Sequence, residues 1–99
     1  MSIVIVWTYA VPPACRAAFE AAYGRDGDWA RLFRQAQGYI GTELLRGADG
    51  CYATLDRWHT EADFDAFKTR FSAEYSALDA ACDKLTSDEQ KVGVFRAVD

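Results

Sequence analysis

Four consecutive residues, Asp56, Arg57, Trp58 and His59, place a carboxylate, a guanidinium, an indole and an imidazole side by side. His59 is the single histidine of the chain, and imidazole is the side chain whose unperturbed pKa lies nearest neutrality, which suits it to proton transfer. In a regular strand Asp56 shares its face with Thr54 and Trp58 while Arg57 points to the other. A carboxylate on a covered face is desolvated, its pKa rises, and it becomes a candidate general base. Each of these residues also has a purely structural use. Trp58 can plug the open end of a core, Asp56 can pair with an arginine, and His59 can be a solvated group beside a helix N-terminus. No glycine-rich phosphate loop, Ser/His/Asp set or metal-ligand cluster is discernible, so hydrolases and nucleotide-dependent enzymes have no support.

The elements around this segment decide what it faces. Tyr52 to Trp58 reads as a strand and runs without a linker into Thr60, which with Asp63 imitates a capping box. The helix so started predicts an aromatic stripe of Phe64, Phe67, Phe71 and Tyr75 and an end near Ala81. A pocket between sheet and helix follows. Ile3 to Val11 is β-branched or aromatic in both alternating sets, the mark of a central strand. Pro12 and Pro13 stop it and open a helix with Cys15, Ala18, Phe19, Ala22 and Tyr23 on one face, closed by Gly24. Asp28 is placed to cap a short second helix carrying Trp29, Leu32, Phe33 and Ala36 and closed by Gly38. Tyr39 to Arg46 and Cys51 to Trp58 flank the turn cluster Gly47 to Gly50 and pair as a hairpin. A short helical segment is expected within Asp83 to Gln90. Lys91 to Val98 is the last strand, with Val92, Val94 and Val98 on one face and Gly93, Phe95 and Ala97 on the other.

Strand, helix, hairpin, helix, strand is the split βαβ, ferredoxin-like α+β pattern, an antiparallel sheet with its main helices on one face. Residues 1–99 make one domain of a size that leaves much apolar surface uncovered. Apolar residues are 51% of the chain, fourteen of them aromatic. Two copies packed sheet to sheet would cover the remaining face, so a homodimer is expected. With Lys+Arg 11 against Asp+Glu 15 and a pI near 4.9, there is no basic face for nucleic acid or anionic lipid. The amino end has neither a basic n-region nor the length of a spanning helix, which predicts a cytoplasmic protein with no membrane partner. Cys15, Cys51 and Cys82 are odd in number and far apart, and read as small buried hydrophobes.

Three segments carry a family resemblance. They are Trp7-Thr8-Tyr9-Ala10-Val11-Pro12 at the end of the first strand, Gly38-Tyr39-Ile40-Gly41-Thr42-Glu43-Leu44 entering the hairpin, and Asp56-Arg57-Trp58-His59-Thr60-Glu61 entering the second main helix. Their order and spacing resemble the antibiotic biosynthesis monooxygenase-type dimeric α+β barrels over nearly the whole chain. The Tyr23 to Trp29 insert suggests a subgroup of unnamed activity. The resemblance implies a monooxygenase that oxidises an aromatic or polyketide-like molecule with O₂ and uses no metal, flavin or other cofactor. It also implies a pocket holding the substrate with a Trp, an Asn and an Arg. Trp58 matches the family tryptophan. Thr54 stands where the asparagine is expected, and the chain contains no asparagine at all. Arg70 is the arginine nearest in place but matches no motif.

On this reading Trp58, Asp56 and His59 are the catalytic candidates. Trp7, Tyr9, Thr54, Phe67 and Arg70 line the substrate site. In the haem-degrading branch of the superfamily the key polar positions fall here on Trp7, Phe67 and Ala77, so haem is not implied. A non-catalytic small-molecule-binding barrel, or a polyketide isomerase or cyclase using Asp56 or His59 as base, would occupy the same fold.

Overall fold

The computed structural model describes residues 2–98; Met1 and Asp99, the ends of the expected domain, lie outside the described residues. Strand β1 (Ile3–Ala10) is followed by a 3₁₀ turn at Pro13–Cys15 and by α1 (Arg16–Tyr23) and α2 (Asp28–Phe33). The hairpin is β2 (Tyr39–Arg46) and β3 (Cys51–Trp58), and α3 (Glu61–Arg70), α4 (Ser72–Cys82) and β4 (Asp88–Arg96) complete the chain. The sheet is antiparallel in the order β2-β3-β1-β4, the expected ferredoxin-like arrangement, with β1 inside it as its doubly apolar pattern requires.

One face of β1 packs on the helices. Ile3, Ile5 and Tyr9 are buried there together with Phe19, Tyr23, Phe33 and Phe67. Phe19 and Tyr23 stack at 4.3 Å between ring centroids, and Tyr9 meets both edge-on at 5.1 Å. Gly27 lets α2 fold back onto α1, since a Cβ there would lie 2.5 Å from the Ala21 carbonyl oxygen. That close approach makes Gly27 the N-cap of α2, and Asp28, expected to cap it, lies inside the helix and pairs with Arg31 instead.

The opposite face is uncovered. Val4, Val6 and Leu55 are half-buried there, and Leu45 and Phe95 are about half exposed. Arg57 points to this side, as expected, and lies 3.8 Å from Glu43. Of the cysteines only Cys82 is buried; Cys15 is half-buried, and Cys51, expected inside, is exposed because its β3 position alternates onto the open face.

Two other expectations are corrected. The helix predicted from Thr60 to about Ala81 is two helices, broken at Phe71, whose ψ of 30° departs from the helical value. The hydrogen bonds on either side of the break survive, so the chain bends without unravelling and brings Tyr75 edge-on to Trp29. The Asp83 to Gln90 segment keeps only a 3₁₀ turn at Asp83–Leu85. Ser87 N–H donates to the Ala10 carbonyl at 2.9 Å, which starts the ladder early and draws the polar run Asp88-Glu89-Gln90 into β4.

Within β4 the partner of Val6 is Gly93 and that of Trp7 is Lys91, so Val92 is an extra, bulged residue. The even-odd division expected along Lys91 to Val98 therefore changes sign at Val92. A matching bulge at Ile40 separates the pairs Tyr39–Trp58 and Gly41–Arg57.

Thr60 accepts a hydrogen bond from the Asp63 backbone N–H at 3.0 Å, the capping contact expected from its spacing. Thr60→Ala should lower the unfolding free energy in urea by about 1 kcal/mol, and Thr60→Asp, which keeps an acceptor, should restore most of it.

Candidate active site

A cavity of about 60 Å³ lies between the helix-facing side of the sheet and the helices. Its floor is sheet: Ile5, Trp7 and Tyr9 from β1, Thr54 and Asp56 from β3, and Thr42 from β2. Aromatic rings of Tyr23, Trp29, Phe33, Phe64 and Tyr75 form the walls, and Asp79 and Glu89 stand at the exposed rim.

Asp56 is brought there by alternation. It pairs with Ile5 on one side and Thr42 on the other, so all three point to the helices. The Thr42 hydroxyl donates to Asp56 Oδ1 at 2.7 Å, and the same hydroxyl lies 2.6 Å from the Tyr39 phenol oxygen. Among the described residues no lysine, arginine or histidine forms a salt bridge with Asp56; the bridged acids are Asp28, Asp26, Glu20 and Glu43. The arginine pair that would have made Asp56 structural is therefore not formed. Burial pushes its carboxyl up to about 6, and the Thr42 hydrogen bond only partly opposes this.

On the neighbouring stretch the Tyr9 hydroxyl and Thr54 Oγ1 lie 2.9 Å apart. Burial holds the phenol of Tyr9 well above its ordinary range, so it stays protonated and can serve as a donor, not as a base. Burial likewise raises Tyr23 and Tyr75. Glu89 is raised too, first by partial burial and then by the neighbouring Asp79, Asp83 and Asp88.

The residues singled out from sequence divide. Asp56, Thr54, Trp7 and Tyr9 line the cavity. Trp58 does not: it is fully buried behind the wall, edge-on to Phe33, Tyr39 and Phe64 at 5.3–5.6 Å, and its Nε1–H has no hydrogen-bond partner among the described residues. Phe67 belongs to the same aromatic stack and lies outside the lining. Arg70 is exposed at the end of α3 with its guanidinium over the Phe71 ring at 5.6 Å, because α3 ends there and turns it outward. His59 is exposed and contributes its backbone N–H to the Gly38 carbonyl at 2.7 Å.

Sequence reasoning missed Thr42, Tyr75, Asp79 and Glu89. Thr42 had a signal, since any hairpin placing it opposite Asp56 would bring hydroxyl and carboxylate together. Glu89 had none, because only the bulge at Val92 turns it to the helix side. Among the described residues no three His, Cys, Asp or Glu side chains gather as a metal-ligand group, and no helix is long and apolar enough to cross a membrane.

Comparison with solved structures agrees with this architecture. A variant of SnoaB, a cofactor-independent oxygenase from Streptomyces nogalater, superposes with a TM-score of 0.77 at 21% identity, over 99% of this chain and 94% of that one. A candidate antibiotic biosynthesis monooxygenase from Caulobacter crescentus gives 0.78 at 22% identity, over 99% and 91%. A third, from Bordetella bronchiseptica, gives 0.75 at 21%, over 98% and 97%. At these identities the likeness is one of fold. No curated protein sequence matches the chain. The sequence profile of the antibiotic biosynthesis monooxygenase family, however, matches residues 2–73, and the chain accordingly belongs to the antibiotic biosynthesis monooxygenase family.

Proposed function

We propose that the protein is a cofactor-independent monooxygenase that oxidises a hydroxyaromatic, polyketide-like molecule with O₂, with Asp56 as the general base. The observation that carries this reading is the Asp56 carboxylate itself, half-buried on the floor of an aromatic cavity and hydrogen-bonded, among the described residues, only to Thr42, where desolvation pushes its pKa up to about 6. A group of that pKa is ionised at neutral pH yet basic enough to accept a proton. SnoaB, of the same fold, is a cofactor-independent oxygenase, which supports the choice of chemistry.

In this reading the ring to be oxidised enters the cavity with its hydroxyl toward Asp56. Asp56 takes the phenolic proton, and the electron-rich phenolate reduces O₂. A carbon–oxygen bond then forms at the activated ring carbon, giving a hydroperoxide. Breaking its O–O bond leaves one oxygen on the substrate as a carbonyl and releases the other as water, which carries the hydrogen lost from carbon and the proton held by Asp56. The substrate supplies all four electrons. Tyr9 and Thr54 are the hydroxyl donors placed to hold a substrate oxygen, and Trp7 gives a flat apolar surface for the ring. Trp58 acts from behind, fixing the wall that Phe33 and Phe64 present. The molecule works as a homodimer in which a second copy covers the open face at Val4, Val6, Leu45, Leu55 and Phe95.

Metal-free, flavin-free protein should consume O₂ with an anthrone-like hydroxyaromatic, and Asp56→Asn should lower the rate by about 10²- to 10⁴-fold. Because the base must be ionised, activity should fall on the acid side with a midpoint near about 6. Binding that quenches tryptophan fluorescence without oxygen uptake, across a panel of phenols, would instead identify a binding protein.

The same carboxylate costs stability. Its folded pKa of about 6 exceeds the ordinary 3.8, so the native state binds the proton more tightly than the unfolded chain. Stability must then fall as pH rises through this window, and the penalty is complete above it. Asp56→Asn should stabilise the fold against urea by up to about 3 kcal/mol at pH 7.5, a gain that largely disappears near pH 4. An unchanged pH slope in the variant would mean that Asp56 is solvated.

Sedimentation at micromolar concentration should give twice the 11.0 kDa protomer mass. Leu45→Glu with Phe95→Glu, on the open face, should yield monomers.

A further inference from the structure

The charge lining the cavity is of one sign. Asp56 lies on its floor and Asp79 and Glu89 at its rim, and no lysine, arginine or histidine is among the lining residues. None of the three acids is in an ion pair among the described residues. Lys84 and Lys91, the bases nearest Glu89 in sequence, are exposed; Lys91, paired with Trp7, shares the helix-facing side of β4 with Glu89, yet it does not line the cavity and neither lysine bridges to any of the three acids. Asp79, Asp83 and Asp88 crowd Glu89 with like charge, and Asp79, Glu89 and Asp56 all act on the phenol of Tyr75.

Aromatic faces deepen the same preference, because their quadrupoles attract cations. The chain already illustrates it: the Lys68 ammonium, outside the cavity, stands 5.6 Å from the Tyr75 centroid and 5.7 Å from that of Phe64, two rings that also form the cavity wall. An independent feature points to a ligand as well. Trp29 is 8% exposed and lines the cavity, yet its Nε1–H makes no well-formed hydrogen bond, although the Tyr23 hydroxyl and Cys82 thiol are near. A buried donor without an acceptor is costly unless a ligand oxygen completes it.

We propose that the compound taken by this site carries a protonated amine, seated at the rim between Asp79 and Glu89 against Tyr75, while its oxygenated ring fills the cavity. The assignment rests on the reading of the cavity as a substrate site and adds the class of substrate: a cationic, amine-bearing hydroxyaromatic. Spread acids with rings between them favour an organic ammonium over a metal ion, which needs its ligands gathered. A carboxylated analogue would meet three like charges, with Lys68 set beyond the Phe64 and Tyr75 rings.

The test is a titration by tryptophan fluorescence, reported by Trp7 and Trp29, with three matched naphthols at pH 7.5: unsubstituted, bearing an aminomethyl arm, and bearing a carboxymethyl arm. The amine should bind about tenfold more tightly than the neutral compound, a difference of about 1.4 kcal/mol, and the carboxylate about tenfold more weakly. Raising salt should shrink both differences. Asp79→Asn with Glu89→Gln should bring the amine and neutral compounds close to equal, with circular dichroism melts reporting that the fold is kept. If the amine binds no better than the neutral naphthol, if its preference survives removal of both rim charges, or if the carboxylate binds best, the assignment is overturned. Oxygen uptake recorded on the same samples separates the two readings. Amine preference without uptake overturns the oxygenase alone, uptake without amine preference overturns the amine alone, and no binding by any member overturns both.

Discussion

Side chains on a strand alternate between two faces, and in this sheet that alternation governs everything the helices can touch. β1 holds the reference, with Ile3, Ile5, Trp7 and Tyr9 toward the helices. Its neighbours must match that parity to add to the core, yet two of the strands carry one residue too many. The extra residues are Ile40 and Val92, and each reverses the parity of the strand beyond it. The first bulge lets Tyr39 and Thr42, three positions apart, face the same side and join through their hydroxyls. The second turns Glu89 to the helix side opposite Tyr9. Both ends of the cavity are thus made by irregularities in pairing, at places where one unpaired residue re-aims a side chain.

Asp56 shows what such a site costs. Its position on an inner strand, between Ile5 and Thr42, draws it partly out of water and offers one hydroxyl in return. A salt bridge would have relieved the strain but lowered the pKa and made the group inert as a base. Without a cation beside it among the described residues, the carboxyl keeps a raised pKa, at the expense of stability. The aromatic stack of Phe33, Trp58, Phe64 and Phe67 compensates, because large rings bury much apolar area with few rotamers to lose. Trp58 belongs to this supporting role. Its indole is enclosed, and the surfaces a ligand can reach belong to the rings in front of it.

The two faces of the sheet divide the work. The helix face carries the cavity and the acids; the other carries Val4, Val6, Leu45, Leu55 and Phe95 over a surface with one exposed ion pair, Arg57–Glu43. Nothing in the helices can reach that second face, since they are all committed to the first. The proposed homodimer would cover it with a second sheet of matching apolar character.

By itself the sequence determined the order of the main elements, because strong local signals mark them: the double alternation of Ile3 to Ala10, the Pro12-Pro13 stop and the Thr60 cap. It also placed Asp56 with Thr54 on the inner face and Arg57 on the outer, since parity within one unbroken strand is a local property. Tertiary structure decided the rest. Whether Trp58 would line the cavity or back it depended on how α2 brings Phe33 across in front. That Arg70 points away followed from the break at Phe71, which no residue type announces. The acid rim required β4 to begin at Asp88, anchored by Ser87 on Ala10, and then to bulge at Val92. Register and bulges are set by the partner strand, and a partner strand is not written in the segment it pairs with.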